Sequence, residues 1–307
     1  MNISSSWLRS YLSGEISEPL VISTTGSGGV EKKVEIPAAA LIASANAAHK
    51  YLEAKEGDSW SLLLPTNHIA GINVLTRSIL LNSELKNISQ KAEFTSIVPT
   101  QLYKALSGDQ ELLNHLKKCK AVLVGGARTP VDLLKKAEEN SINVVLTYGA
   151  TETCGGCVYN GEPLEGIKIR IQEGKVEINF PEMNGESWIP TNDLGEIVNG
   201  KLKILGRSDD IIISGGENLS LTKLEDFLEK EFPDQIFVAV SLPDEKWGDV
   251  IALASNKIIS EGVFSKIENV MGRIYLPKAI RVIEEFPTMG IGKYDRKAIT
   301  NIFLSDE

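Results

Sequence analysis

The sequence has 307 residues, of which 42% are hydrophobic and 24% are charged, so it can bury at least one sizeable core. Its formal net charge of -9 argues against a protein that coats nucleic acid or an anionic membrane, because both partners need a broad cationic face. The N-terminus lacks the apolar run of a signal peptide, and no segment approaches the ~18 apolar residues of a membrane span. We therefore expect a globular cytoplasmic protein.

Up to about residue 150, short apolar runs alternate with helical stretches, which predicts a largely parallel β-sheet. A helix is expected over 37–55, with Pro37 in its first turn and Gly57 just past its end. The other expected elements are strands at 60–65, 94–99, 121–126 and 143–149, and a helix over 131–140. Three glycines then lie beyond the carboxyl ends of strands, where such sheets bind ligands: Gly125, Gly126 and Gly149.

The pattern of apolar and polar residues changes after residue 166. Short alternating segments between 166 and 206 predict a small antiparallel unit. The following residues predict an α+β module, with strands at 211–214, 236–241, 250–255 and 279–284 and helices at 221–231, 263–272 and from 295. We therefore expect two domains, residues 1–206 and residues 207–307.

The sequence has three cysteines, too few and too uneven a number for a disulfide framework, which fits a reducing compartment. Cys154 and Cys157 have the CxxC spacing of a zinc half-site, but the three histidines are isolated in the sequence. A structural role for this pair is therefore favoured.

The stretch STTGSGGVEKKV at 23–34 is suited to a polyphosphate. Glycines let backbone N–H groups approach an anion, hydroxyls add donors, and a lysine adds positive charge. The spacing is not that of a GxxxxGK[ST] loop, and by itself this composition is more typical of a plain surface loop.

Together with motifs further along the chain, this stretch resembles the phosphate loop of the adenylate-forming acyl-CoA synthetase superfamily. The other motifs follow in the family's order: Gly125-Gly126-Ala127, Tyr148-Gly149-Ala150-Thr151-Glu152-Thr153, Thr191-Asn192-Asp193-Leu194-Gly195, Gly206-Arg207-Ser208-Asp209-Asp210, Ser214-Gly215-Gly216-Glu217-Asn218 and Gly290-Ile291-Gly292-Lys293-Tyr294-Asp295-Arg296. Gly28 replaces a hydroxyl residue and Glu31 the usual proline, so we expect a lower nucleotide affinity. The resemblance implies an α/β adenylate-forming fold with a large α/β domain, a small β unit and a mobile α+β C-terminal domain.

The resemblance also implies a reaction. A carboxylate attacks the α-phosphate of ATP, pyrophosphate leaves with Mg²⁺, and the thiol of CoA captures the acyl adenylate. The implied nucleotide- and CoA-binding residues are Thr24, Thr25, Gly26, Ser27, Gly28, Gly29, Lys32, Gly125, Gly126, Ala127, Tyr148, Gly149, Ala150, Asp193, Arg207, Gly215 and Gly216.

Several residues have specific implied roles. Thr151 bonds the α-phosphate, and Glu152 holds the metal. Asp193 accepts the ribose hydroxyls, and Asp209 is the hinge about which the C-terminal domain rotates. Lys293 bridges the substrate carboxylate and the α-phosphate, so its charge offsets the repulsion between two anions. Each of these residues also has an ordinary reading, as a turn, cap or surface charge, and only the set favours the functional one.

Three segments look like those of the o-succinylbenzoate–CoA ligases of menaquinone biosynthesis: 64–79, 98–102 and 147–166. The resemblance implies His68, Arg77 and Thr147 as residues of the acid site, with His68 also near the incoming thiol. Arg77 is the one charge in a stretch from 69 to 81 that is otherwise apolar or hydroxyl-bearing, so it needs a partner. An internal acid is the commoner partner, and the second carboxylate of the diacid o-succinylbenzoate is the other.

Other readings stay open at this point. They are a ligase for another aryl or short-chain acid, an adenylation domain that serves a carrier protein, and a non-catalytic nucleotide-binding relative. Family members commonly carry well over a hundred residues before the phosphate loop, which here begins by residue 23. We expect a trimmed enzyme with a complete active site, whose uncovered surface favours a homodimer.

Overall fold

The computed structural model describes residues 2–25, 31–289 and 293–305. Its helices are α1 Ser5–Leu12, α2 Ala38–Leu52, α3 Ile69–Leu80, α4 Pro99–Leu106, α5 Gln110–Leu116, α6 Val131–Glu139, α7 Pro181–Asn184, α8 Leu221–Glu231, α9 Glu261–Met271 and α10 Arg296–Leu304. Its strands are β1 Leu20–Thr25, β2 Glu31–Ile36, β3 Trp60–Ser61, β4 Phe94–Ile97, β5 Ala121–Val124, β6 Val144–Ala150, β7 Gly155–Tyr159, β8 Glu162–Pro163, β9 Lys168–Gln172, β10 Lys175–Asn179, β11 Ile189–Val198, β12 Lys201–Arg207, β13 Ile211–Ser214, β14 Glu217–Ser220, β15 Phe237–Asp244, β16 Gly248–Ser255, β17 Ala279–Val282, β18 Thr288–Met289 and β19 Lys293–Tyr294.

The chain forms two compact units. The first comprises Met1–Thr191 with Gly195–Lys203, and the second comprises Asn192–Leu194 with Ile204–Glu307. The functional domain boundary at residue 206 stays a prediction. No helix in the described part of the chain is long and apolar enough to cross a membrane.

The main sheet of the first unit has the order β3-β4-β5-β6-β7-β8. Strands β3 to β6 run parallel, and β7 and β8 add an antiparallel hairpin at one edge. The predicted, largely parallel sheet is confirmed. The prediction for residues 60–65 is too long, because only Trp60 and Ser61 form a strand. Gly149 lies inside β6, paired with Gly156, and not beyond the strand's end.

Helices α2 and α3 pack together in the first unit and bury apolar residues against the sheet. Helix α2 begins directly after Pro37 and ends at Leu52, three residues before the predicted end. It ends there because Glu53 adopts a left-handed conformation with φ 51°, and its N–H bonds to the carbonyl groups of the last turn. Helix α3 carries Ile72, Val74 and Leu75 into the core, each no more than 2% exposed. Burial of such side chains contributes about 1.5–3 kcal/mol each.

The predicted small antiparallel unit is a four-stranded sheet in the order β12-β11-β10-β9. Its tight hairpins place a non-glycine residue and a following glycine at positive φ. Glu173 and Gly174 have φ 52° and 78°, and Asn199 and Gly200 have φ 51° and 77°. These paired positive values are those of type I′ turns, whose twist matches the flanking strands.

The second unit contains a five-stranded sheet in which β14, β13, β16 and β15 are neighbours and β17 pairs with β16 in parallel. Residues from α8 and α9 form one apolar cluster with the sheet, and residues from α10 form another. Lys293 lies in the short strand β19, which pairs antiparallel with β18.

Candidate active site

Strands β1 and β2 form the hairpin that carries the predicted phosphate-binding residues. Thr24 pairs with Lys32 in the antiparallel register, and the Thr24 hydroxyl donates a hydrogen bond of 3.4 Å to the Lys32 carbonyl oxygen. Gly26, Ser27, Gly28 and Gly29 lie outside the described residues, as does the side chain of Thr25. Among the predicted phosphate-binding residues of this hairpin, Lys32 is the one whose described side chain carries a positive charge.

Lys32 contacts the predicted metal ligand. Its Nζ lies 3.2 Å from Oε1 of Glu152, although the two residues are 120 positions apart. The two side chains are 64% and 30% exposed, so the ion pair stabilises the fold weakly and can yield to a phosphate and a cation. One carboxylate fits Mg²⁺, which commonly binds one or two carboxylates together with substrate phosphates. Within the described residues no group of three or more acidic, cysteine or histidine side chains could hold a metal by itself.

The turn after β6 presents Thr151 and Glu152. Residues Thr151–Thr153 form one turn of 3₁₀-helix, and Cys154 follows in a left-handed conformation with φ 55°. The Thr153 hydroxyl accepts a hydrogen bond of 2.8 Å from the Ala150 N–H and lies 3.0 Å from the carbonyl oxygens of Ala150 and Gly155. These contacts fix a compact turn with Thr151 and Glu152 half-buried at its start.

Thr147 lies against the glycines after β5. A Cβ atom on Gly125 would stand 2.1 Å from the Thr147 hydroxyl oxygen, so no larger residue fits without a shift. Gly126 has φ 82°, and Ala127 is exposed. Tyr148, the predicted adenine contact, is half-buried beside the small antiparallel sheet. The structure thus brings Thr147 to Gly125, as expected if both line one crevice.

Cys154 and Cys157 are buried and free. Burial raises the pKa of both thiols to about 12, so they remain protonated and are poor metal ligands. This agrees with the structural role that the sequence favours.

Helix α3 carries Arg77 and begins directly after His68, two of the three predicted acid-site residues. His68 stands immediately before the helix, half-buried, and its side chain makes no capping hydrogen bond. Asn73, one turn further, is 2% exposed, and its Nδ2 donates a hydrogen bond of 2.8 Å to the Cys154 carbonyl oxygen. The expectation that residues 69–81 are apolar or hydroxyl-bearing apart from Arg77 is therefore wrong at Asn73. An amide within an otherwise apolar helix is the sequence feature that could have pointed to this residue.

Arg77 is 4% exposed and lies in the core of the first unit. Its Nη2 donates a hydrogen bond of 2.9 Å to the Tyr159 hydroxyl, and its guanidinium carbon lies 5.1 Å from the centroid of the Trp60 ring. Its Nε is buried without a partner. Among the described residues Arg77 forms no ion pair with a carboxylate, so the internal acid, the commoner alternative, finds no support in this part of the chain. The aromatic ring and the phenol compensate its charge only in part.

His49 is buried beside Arg77, and burial together with the arginine's charge lowers its pKa to about 4. Above about pH 6.5 the ring is neutral in both the folded and the unfolded chain. Between pH 6.5 and 4 only the unfolded chain takes up this proton, so the free energy of unfolding should fall by about 3 kcal/mol as the pH is lowered. Urea unfolding across this range measures the slope. The variant His49→Asn should lose a large part of this pH dependence of the free energy of unfolding. A slope equal to that of the unsubstituted chain would show that His49 is not its source.

The second unit holds the predicted ribose and hinge residues. Arg207 donates two hydrogen bonds of 2.7 Å to the two carboxylate oxygens of Asp209 and lies 3.2 Å from Oδ1 of Asp193. The hydrogen bonds that Arg207 donates to Asp209 are the main reason that the pKa of Arg207 is raised. One guanidinium therefore holds the predicted ribose carboxylate and the predicted hinge carboxylate together.

Gly215 and Gly216 form the turn between β13 and β14. Both have positive φ, 57° and 87°, and the Gly215 N–H donates a hydrogen bond of 2.8 Å to the Trp247 carbonyl oxygen. A Cβ on Gly215 would lie 2.8 Å from the Trp247 ring, which is 41% exposed. No pattern in the sequence singles out Trp247, because it is a single aromatic residue outside any motif.

Lys293 lies three residues before α10. Its backbone belongs to β19, and its side chain lies outside the described residues. The start of α10 is firmly held: the Asp295 carboxylate accepts a hydrogen bond from the Ala298 N–H, and Arg296 forms bonds of 2.8 and 2.7 Å to the two carboxylate oxygens of Glu225.

One surface cavity of the first unit lies away from these residues. It measures about 200 Å³ and lies between α1 and the end of α3, lined by Ser5, Arg9, Leu75, Ser78, Ile79, Ser83, Glu84 and Leu85. None of the predicted site residues lines it. The chemistry of the side chains, and not the cavity volume, identifies the candidate site.

Comparison with known proteins agrees with the motifs. The model of the AMP-binding enzyme family matches residues 19–176. A probable 2-succinylbenzoate–CoA ligase of Mycobacterium tuberculosis is 31% identical over 330 residues, which cover 94% of this chain and 85% of that protein. These matches confirm the predicted family.

Solved structures show the same fold. The o-succinylbenzoate CoA synthetase MenE from Bacillus subtilis, in complex with the acyl-adenylate intermediate OSB-AMP, has a TM-score of 0.77 at 25% identity and covers 91% of this chain and 68% of that one. An arginine-to-lysine variant of Escherichia coli MenE with bound OSB-AMS has a TM-score of 0.79 at 24% identity, over 94% of this chain and 69% of that one. The predicted adenylate-forming fold is thereby confirmed. The chain belongs to the AMP-binding enzyme family, and within it the similarity is to 2-succinylbenzoate–CoA ligases.

Proposed function

We propose that the protein activates 2-succinylbenzoate with ATP to an acyl adenylate and transfers the acyl group to CoA, giving o-succinylbenzoyl-CoA, AMP and pyrophosphate in menaquinone biosynthesis. The observation that carries this proposal is the contact of Lys32 with Glu152 beside Thr151. It brings together a cation suited to a phosphate, a carboxylate suited to Mg²⁺ and a hydroxyl donor. The choice of 2-succinylbenzoate as the acid rests on the relatives, which are 2-succinylbenzoate–CoA ligases.

The first half-reaction brings a carboxylate to the α-phosphate of ATP, so the site has to stabilise two anions at one point. Lys32 and the Thr151 hydroxyl offer a cation and a donor to the phosphates, and Lys293 would offset the remaining charge. Mg²⁺ held by Glu152 would neutralise the leaving pyrophosphate. Asp193 and Arg207 would bind the ribose, since a carboxylate suits a vicinal diol.

The acid site in this proposal lies along α3. His68 at the start of the helix would face the carboxyl group and the thiol, and Thr147 would contact the acid from the strand side. Arg77 would bind the carboxylate that does not react. Its unpartnered Nε and the absence of an internal acid among the described residues support this role.

The second half-reaction needs CoA, for which the Gly215-Gly216 turn is the proposed pantetheine contact and Asp209 the proposed hinge. A cytoplasmic location and a homodimer remain parts of the proposal. No nucleic acid or membrane partner is proposed.

A pyrophosphate-release assay tests the proposal. The protein is given ATP, Mg²⁺, CoA and one acid at a time from a panel of 2-succinylbenzoate, benzoate, other aryl acids and short-chain acids, with an acid-free control. We expect 2-succinylbenzoate to give the highest kcat/KM. Preference for another acid would favour the alternative ligase, and no release with any acid would favour a non-catalytic nucleotide-binding protein.

A further inference from the structure

Asn73 ties helix α3 to the turn that carries Thr151 and Glu152. Its amide is buried, and Nδ2 donates to the Cys154 carbonyl oxygen at 2.8 Å. Oδ1 is also buried but has no partner. The reversed amide would set Oδ1 against the Cys154 carbonyl oxygen, two acceptors facing each other, so the observed orientation is the favourable one.

The turn that Asn73 contacts has a strained backbone at Cys154. Cys154 has φ 55°, a left-handed conformation that residues with a side chain rarely adopt. The Cys154 N–H donates to the Thr151 carbonyl oxygen at 3.0 Å, so Cys154 and Thr151 move together. Gly155 follows at φ 91°, and a Cβ there would lie 2.4 Å from Nδ2 of Asn73. The backbone at 154–155 is therefore shaped to receive this amide.

Packing alone does not explain an amide at this position. A leucine would have a similar branched shape but would leave the Cys154 carbonyl oxygen without this donor, whereas Asn73 satisfies that carbonyl group and leaves its own Oδ1 buried without a donor. The chain thus carries a residue that is costly to bury, and what it gains is the bond to the turn.

We propose that Asn73 is a positioning residue that holds Thr151 and Glu152 in place for the α-phosphate and the metal. This inference rests on the proposed function, because it needs Thr151 to face a phosphate. Asn73 acts through the Cys154 carbonyl group and touches neither nucleotide nor acid. It also links the helix that begins after His68 to the phosphate turn.

The test compares the binding of AMP and adenosine by calorimetry, which requires no acid and no turnover. Asn73→Leu should weaken AMP binding about tenfold, the effect of losing one hydrogen bond to a charged group, because Thr151 no longer aligns with the phosphate. Adenosine binding should change less than about twofold, since adenosine lacks the phosphate. In the variant Asn73→Ser the side chain is too short to reach the Cys154 carbonyl group, so this variant should show the same effects on AMP and adenosine binding. It replaces Asn73→Leu in the test if the leucine variant does not fold.

The matched control is Thr76→Val. Thr76 lies on the same helix, is fully buried and bonds the Ile72 carbonyl oxygen at 2.9 Å, so its loss removes a buried bond that does not reach the turn. It should leave the affinities for AMP and adenosine unchanged. Equal weakening of both ligands by Asn73→Leu, or no weakening of AMP binding, overturns the inference alone. If the unsubstituted protein binds AMP no more tightly than adenosine, the proposed phosphate site fails and the inference fails with it.

Discussion

Replacing Lys293 with alanine should lower the rate of pyrophosphate release about a hundredfold or more, because the charge between the attacking carboxylate and the α-phosphate is lost. Thioester formation from supplied acyl adenylate should keep its rate, since that step starts after pyrophosphate has left. The two half-reactions are measured separately, the first by pyrophosphate release and the second by the appearance of acyl-CoA.

The substitution should remove the charge without disturbing the segment. The backbone of Lys293 pairs with Met289, and α10 is held at Arg296 by Glu225. The control is Lys297→Ala, which removes an exposed lysine on the first turn of α10 and should leave both half-reactions unchanged. Equal losses in the two half-reactions, or an unchanged first one, would rule out the proposed role of Lys293.

Local patterns in the sequence predicted most of the fold. The apolar runs at 94–97 and 121–124 became fully buried parallel strands, as is typical of parallel sheets, and the run at 144–148 is buried at Val145 and half-buried elsewhere. The β7–β8 hairpin was missed although Asn160-Gly161, both at positive φ, is a strong turn signal. The parallel pairing of β17 with β16 follows the strand–helix–strand order predicted at 250–255, 263–272 and 279–284, because parallel neighbours need such a crossover.

Residues of the candidate site could be predicted from the sequence, but the contacts between them could not. Motif order pointed to Lys32 and Glu152 separately, but their contact spans 120 positions and depends on how β2 meets the main sheet. The bond from Asn73 to Cys154 spans 81 positions, and nothing near either residue predicts it. Arg77 was correctly singled out as a cation that needs a partner. Its aromatic surroundings could not be foreseen, because Trp60 and Tyr159 come from distant strands.

The variant Arg77→Met tests which carboxylate the site recognises. It should raise the KM for 2-succinylbenzoate at least about tenfold, because a charge-assisted pair with a carboxylate is lost. The KM for ATP should change less than about twofold, since the nucleotide contacts proposed here lie on other residues. Initial rates at varied acid and varied ATP measure both constants.

An analogue of the acid that lacks the second carboxylate completes a double-mutant cycle with this variant. The unsubstituted protein should bind the analogue about as weakly as Arg77→Met binds the diacid, and the variant should treat the two acids alike. Arg9→Met, at an exposed arginine of α1, is the control and should change neither KM. Equal loss on both acids would mean that Arg77 only shapes the core.

The folding of this variant distinguishes the two roles further. Removing one partner of a buried ion pair is strongly destabilising, because it leaves the other charge uncompensated. Arg77 has no carboxylate partner among the described residues, and its Nε is already unpaired, so methionine should leave the Tm near or above that of the unsubstituted protein. A cation that costs stability when the acid is absent, and discriminates between acids when it is present, is retained for recognition. A large fall in Tm together with equal effects on the two acids would instead assign Arg77 to the packing of Trp60 and Tyr159.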